Sequence, residues 1–358
     1  MLLLLLACHP AADLNIVATR DLGPLETTDA VKGRDGGYSV TFGDRSVWLY
    51  GDSILSVTGE DGSAWRDNSW SWTEDLDASD GITGFEEPTD GLGAPEEFFP
   101  ETQEEADYNQ AHGGATCIDP CGAREILWPM DAVYDEARDR VLAFYVKIHG
   151  EPGAWNFFAR GYGVAVWSDF DSPPERPVLD EDAAQPTLLF TEEAQDYGVA
   201  ALIDGGWLYA YACNGDGWGK PCRVARVAPE DVLDRAAWSF WDGDDWQGDV
   251  DRSAEIFDGN AQITVSWSPA LDRFVATHMD GVGDTVVLRT APAPEGPWSD
   301  AVDAFQTEPA YGDAFTYCGL GHAEYARDGG LTQIISYFRS TGDWTGEIRT
   351  VEVEVEAR

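Results

Sequence analysis

The chain is written in pairs of short apolar runs. In residues 36–53, Tyr38, Val40 and Phe42 recur at period two, Gly43-Asp44 supplies turn chemistry, and residues 47–50 form a β-branched and aromatic run. This reads as strand, tight turn, strand, ending in the carboxylate of Asp52. The same grammar returns four times. Residues 127–134 and 140–147 flank a turn at 136–139, and residues 197–203 and 207–212 flank Asp204-Gly205-Gly206. Residues 261–267 and 273–278 flank a turn at 269–272, and residues 322–326 and 331–338 flank Arg327-Asp328-Gly329-Gly330. Outer strands are predicted at 68–73, 161–167, 187–190, 223–227, 285–290 and 348–356. Runs such as 141–146 are apolar without alternation, as strands covered on both faces should be. Val351-Glu352-Val353-Glu354-Val355 does alternate, which predicts an outer strand able to pair with residues 14–20. The one helical piece predicted is short, at 229–237.

The second strands of these pairs are centred roughly 60 to 70 residues apart, after a longer first interval. That period suits one blade per repeat. The fold class predicted is all-β: a five-bladed β-propeller of four-stranded antiparallel blades around a central channel, with a β-sandwich as the alternative. At 358 residues the chain can be one large β domain, here 14–358, behind a leader at 1–13. Residues 74–124 are acidic and irregular, and are read as an insertion laid over one face. The 38 Gly and 12% aromatic content suit many strands and turns better than helices.

Charge narrows the partners. There are 66 acidic residues against 22 basic ones, a formal net charge of -44, which repels nucleic acid and anionic membranes. The acidity is read as a solvated surface. A sharper alternative is calcium binding at Asp242-Gly243-Asp244-Asp245-Trp246-Gln247-Gly248-Asp249, although the spacing is not that of an EF-hand loop. No cofactor is otherwise expected.

Met1-Leu2-Leu3-Leu4-Leu5-Leu6-Ala7-Cys8 is too short to span a bilayer. It resembles the end of a secretory signal followed by a bacterial lipobox, Leu5-Leu6-Ala7-Cys8, though no basic segment precedes it. The resemblance implies export, with lipidation of Cys8 as the only membrane attachment. Cys117 with Cys121, and Cys213 with Cys222, each close a short loop and read as disulfides rather than metal ligands. Cys318 is left over.

In an antiparallel hairpin the start of the first strand and the end of the second share one edge. Five radial hairpins therefore bring those positions to one mouth of the channel. Asp52, Glu125, Asp131, Lys147, His149, Asn214, Asn260, Gln262, His278, Asp280, His322, Glu324 and Arg339 are predicted there. His322 and Glu324 share a side of their strand by period two. Of this set Asp52, Asp131 and Glu324 are the catalytic candidates. Glu125, Lys147, Asn260, Gln262, His278, His322 and Arg339 are candidates for binding substrate, and Trp65, Trp70 and Trp72 offer stacking faces.

Trp48-Leu49-Tyr50-Gly51-Asp52, Trp128-Pro129, Pro294-Glu295-Gly296-Pro297-Trp298-Ser299 and Gly319-Leu320-Gly321-His322-Ala323-Glu324-Tyr325 resemble pieces of an uncharacterised family of secreted bacterial propellers with a Trp-x-x-Gly-Asp signature. More distantly, the arrangement is similar to the arabinanase-like and levansucrase-like glycosidases. That similarity implies three mouth carboxylates: a base or nucleophile in the first blade, an Asp in the second and a general-acid Glu in the third. Asp52 stands for the first, although the glycosidases place theirs on the first strand, and Asp131 stands for the second. The third unit opens Tyr197-Gly198-Val199-Ala200 without a Glu, so Glu324 or Glu125 would have to supply the acid. The function implied is an exported propeller that recognises carbohydrate at its mouth; glycoside hydrolysis is the reaction expected if it is an enzyme. The alternative is a non-catalytic surface module binding a glycan or a protein.

Overall fold

A computed structural model of the protein describes residues 14–153, 155–191, 196–215 and 220–358. Five antiparallel sheets stand as blades around a channel. Their innermost strands are Val31–Phe42, Arg124–Asp135, Ala200–Asp204, Ile263–Ser268 and Tyr317–Gly321. Each touches the next, and the last touches the first, so the ring is closed. Blades are numbered 1 to 5 by these strands. The second strands are Arg45–Leu55, Arg140–Gly150, Trp207–Cys213, Arg273–Met279 and Thr332–Gly342. In blade 1 Phe42 pairs with Arg45, leaving Gly43-Asp44 as a two-residue turn in which Gly43 takes φ +66°.

The second strands explain their own sequences. Val141, Ala143 and Tyr145 face the core between blades 1 and 2, while Leu142 and Phe144 face the core toward blade 3. Both faces are covered, so every position is apolar. Closure of the ring follows the alternating terminal run. Leu14–Pro24 lies antiparallel to Thr345–Ala357, from Leu14 opposite Ala357 to Pro24 opposite Arg349. Val351, Val353 and Val355 point inward, and Glu352 is also buried but holds Arg20 and Arg327.

Residues 74–124 wrap blades 1 and 2. Phe98 and Phe99 enter the core between those blades, and Glu87 forms a buried pair with Arg34. A helix, Gln103–His112, is set by a capping box between Thr102 and Glu105. Cys117–Cys121 closes a local loop nearby, and Cys213–Cys222 joins directly paired residues of blade 3. Cys318 is a buried free thiol.

Several expectations need correction. The inner strand of blade 5 is Tyr317–Gly321, not residues 322–326; His322 follows it and Ala323–Tyr325 is a 3-10 turn. The strand escapes a hydrophobic pattern because it packs through glycine. A Cβ on Gly319 would crowd Met279, and one on Gly321 would crowd Thr264 and Thr277 of blade 4. Residues 229–237 form two 3-10 turns, Pro229–Asp231 and Arg235–Ala237, rather than a helix. In the acidic 242–249 segment, Asp242 accepts the amides of Asp244 and Asp245 and pairs with Arg252. Among the described residues no group of His, Cys, Asp and Glu is arranged to hold a metal ion. Cys8 and the rest of 1–13 lie outside the described residues.

Candidate functional site

A cavity of about 880 Å³ opens at the mouth where first strands start and second strands end. That volume suits a small-molecule site. All five blades line it. Blade 1 gives Asp35 and Asp52, blade 2 Arg124 and Trp128, blade 3 Asp196 and Lys220, blade 4 Asn260 and Gln262, and blade 5 Tyr317 and Ser340.

Asp35 and Asp52 lie on paired strands of blade 1. A bulge after Arg34 sets Asp35 against Gly51, where any Cβ would run into the Asp35 carboxylate. Gly51 therefore has to be glycine for the two acids to approach. Burial lifts Asp35 to about 6, while the Tyr317 hydroxyl, donating at 2.9 Å, and the Asp52 amide favour its anion. Asp52 is raised well above the carboxylate range by burial, then by the charges of Asp35 and Asp67. The Trp128 indole donates to its Oδ1 at 3.0 Å. The pair titrates as a unit, with the anion on Asp35 and the remaining proton on Asp52.

Asp196 faces them from the approach to the inner strand of blade 3. Burial raises it to about 6 against the opposing charges of Lys220 and Arg223. Its Oδ1 is buried and has no hydrogen-bond partner among the described residues. Such an atom is costly unless something donates to it.

Of the predicted mouth residues, Asp52, Asn260 and Gln262 line this cavity. The Asn260 amide braces the loop, donating to the carbonyls of Met279 and Gly281. Asp131 lies deeper, within a bulge of the inner strand of blade 2. There it accepts the amides of Ala132 and Ala201 at 2.9 and 2.8 Å and ties blade 2 to blade 3. Burial pushes it up to about 8.

The shift of the fifth inner strand moves His322 and Glu324 away from the cavity. His322 stacks on Trp48, bonds Ser39 and Ser336, and is driven down to about 3 by burial. Glu324 accepts Ser46 Oγ at 2.8 Å. Ser46 starts the strand near whose far end Asp52 sits, so Glu324 and Asp52 occupy opposite ends. Glu125 and Lys147 sit under the insertion helix, where Glu125 pairs with His149 at 2.8 Å and Lys147 with Glu105 at 2.8 Å. His278 bonds the Met279 carbonyl and accepts from Arg289. Arg339 is held by Glu308 and Glu347. None of these seven predicted mouth residues, His149 included, lines the cavity. Trp70 and Trp72 pack against Phe170, Trp65 donates to Asp67, and none of the three lines the cavity.

Asp35 and Asp196 stand just outside the predicted strands, whereas Tyr317 comes to the cavity with the shifted inner strand of blade 5. The hairpin read from Gly36 began one residue after Asp35, and the third unit read from Tyr197 began one residue after Asp196. The Gly36-Gly37 pair behind Asp35 signals a bulge and a close approach.

The fold and site together define a five-bladed propeller with buried carboxylates at its central mouth. Residues 23–320 match the model of the domain of unknown function DUF4185, and the chain belongs to that family. No curated protein matches it. Among solved structures it is similar to a Bacteroides ovatus protein provisionally described as a hydrolase, at 17% identity and TM-score 0.58, covering 92% of this chain and 86% of that one. A family 117 glycoside hydrolase of Zobellia galactanivorans matches at 9% identity and TM-score 0.52, covering 96% and 91%. A GH43_1 enzyme of Xanthomonas citri matches at 13% identity and TM-score 0.50, covering 94% and 90%. At these identities the likeness is one of fold.

Proposed function

We propose that the protein is an exported glycoside hydrolase acting at the central mouth. One observation carries the reading: buried carboxyls with raised pKa values, Asp35 and Asp52 from blade 1 and Asp196 from blade 3, line a single cavity. The family 117 and GH43_1 propellers support it as folds that carry glycoside chemistry.

In this scheme Asp196 gives its proton to the glycosidic oxygen as the bond to the anomeric carbon breaks. Water attacks that carbon and passes a proton to Asp35, leaving a hemiacetal and an alcohol. Asp35 occupies the first-strand position that the glycosidase resemblance calls for, and Asp196 stands before the third inner strand where that resemblance expects an acid. Asp52, holding its proton, keeps a second negative charge away from Asp35. Nothing in the scheme calls for a cofactor.

The expected result is hydrolysis of at least one member of a polysaccharide panel, with Asp35→Asn and Asp196→Asn each losing about 10²–10⁴-fold. Wild-type activity in both variants, or no hydrolysis of any glycan, would sink the assignment. A binding module whose mouth is covered by the insertion fits less well, since among the described residues of 74–124 only Gly122 and Arg124, at its end, line the cavity. Attachment through Cys8 is part of the proposal, supported by the two disulfides. Cys8→Ser should move the protein from the membrane fraction to the soluble one.

A further inference from the structure

Trp155, Phe157 and Trp128, all on blade 2, form a row of rings leading into the cavity. Trp155 is 78% exposed and Phe157 41% exposed. Their centroids are 6.3 Å apart, and Phe157 meets Trp128 edge to face at 5.2 Å. Trp128 closes the row by donating to Asp52. Trp155 holds φ +61°, a conformation costly for a side chain this large. The backbone thus keeps an indole in water beside the site, where none of the described residues covers it. Phe315, also largely exposed, lines the cavity from blade 5.

Building on the glycosidase reading, we propose that this row is a stacking platform for a neutral glycan longer than one sugar unit. The C–H faces of a sugar ring are apolar and pack flat on aromatic rings, while its hydroxyls seek acceptors. Both partners are present, the rings along the rim and, in the cavity lining, the Asp196 Oδ1 that has no hydrogen-bond partner among the described residues. The charge balance selects against anionic chains. Net charge is -44, Asp35, Asp196 and Glu151 line the cavity, and its two cations are engaged, Arg124 with Asp67 and Lys220 with the Gly215 carbonyl. Blade 2 therefore sets the direction of entry, with the chain end seated over Asp35 and the remaining units running out over Phe157 and Trp155.

The test is isothermal titration in an Asp35→Asn background, which separates binding from cleavage. Probes are neutral arabino-, xylo-, galacto- and gluco-oligosaccharides from monomer to pentamer, with oligogalacturonides as the anionic arm. Affinity for at least one neutral series should rise with length. Adding Trp155→Ala or Phe157→Ala should flatten that rise, weakening binding of the longest oligomer by up to about tenfold. Unchanged length dependence in both double variants would overturn the platform, as would absence of neutral binding or tighter binding of oligogalacturonides. A wild-type protein that binds neutral oligomers in this pattern yet never cleaves them would overturn the hydrolase reading and leave the platform standing.

Discussion

Two carboxyls on neighbouring strands can divide one proton, and Asp35 and Asp52 are placed to do so. Asp35 must be ionised to act as a base and Asp196 protonated to act as an acid, and each titrates at about 6. The rate should therefore follow a narrow bell peaking near pH 6. Asp52→Asn imitates the protonated acid, so it should cost far less than Asp35→Asn and leave the acidic limb near pH 6. A pH–rate profile of each variant checks this, and an equal collapse in both would make Asp52 the base. Deeper in the channel, titration bears on stability. Asp131 moves from an ordinary value near 4 to about 8 on folding, so the folded state binds its proton more tightly. Its contribution is full below about pH 4 and is lost as pH rises toward 8. Asp131→Asn, neutral throughout, should flatten that slope, whatever constant cost it adds; denaturant midpoints across the range will show it. His322 has the opposite sign. Its folded value of about 3 lies below the ordinary one, so stability is lost as pH falls from about 6.5.

At the scale of elements, the insertion helix shows how a surface segment is locked to the blades. Burial alone would raise Glu105, but hydrogen bonds from Arg176 and Lys147 outweigh it and hold the carboxyl at about 2. Glu105→Gln would leave the Lys147 and Arg176 charges buried without this partner, and removing one member of such a pair costs about 3–5 kcal/mol. Urea unfolding should show a loss of that size, and a loss under about 1 kcal/mol would mean the helix is held by packing alone. Glu125 and Lys147, expected at the mouth as substrate-binding residues, instead serve this helix and its surroundings, Lys147 pairing with Glu105 and Glu125 with His149. What the pattern of residues 124–150 could not convey is that the insertion would arrive to use them. The helix itself was legible in principle from Thr102 and Glu105, which form the local capping signature.

Across the whole molecule, the ring is held by strand closure and burdened by its charge. With 66 acidic and 22 basic residues, self-repulsion opposes the compact state, and salt screens it over about 8 Å at physiological ionic strength. The melting temperature should rise as sodium chloride is raised from low to physiological concentration. A fall would mean that ion pairs such as Arg349–Asp21 and Arg20–Glu352 outweigh the repulsion. Five blades and their closure were legible because both depend on local patterns, period two in each hairpin and alternation in residues 351–355. The fifth inner strand was not, because glycines replace its apolar positions and only the neighbouring blade explains them.

The sequence by itself determined the number of blades, the turns of the first four hairpins, the disulfide pairs and the end of the channel where polar groups gather. These follow from interactions between residues close in the chain. The tertiary structure alone decided which acids meet. Asp35 reaches the cavity through a bulge that needs Gly51 opposite it, Asp196 from the approach to the inner strand of blade 3, and Asp131 is drawn below by the Ala201 amide of blade 3 and the Ala132 amide of its own strand. Each outcome depends on which way a side chain turns once another blade lies against it, and a one-residue shift in a strand reverses that direction.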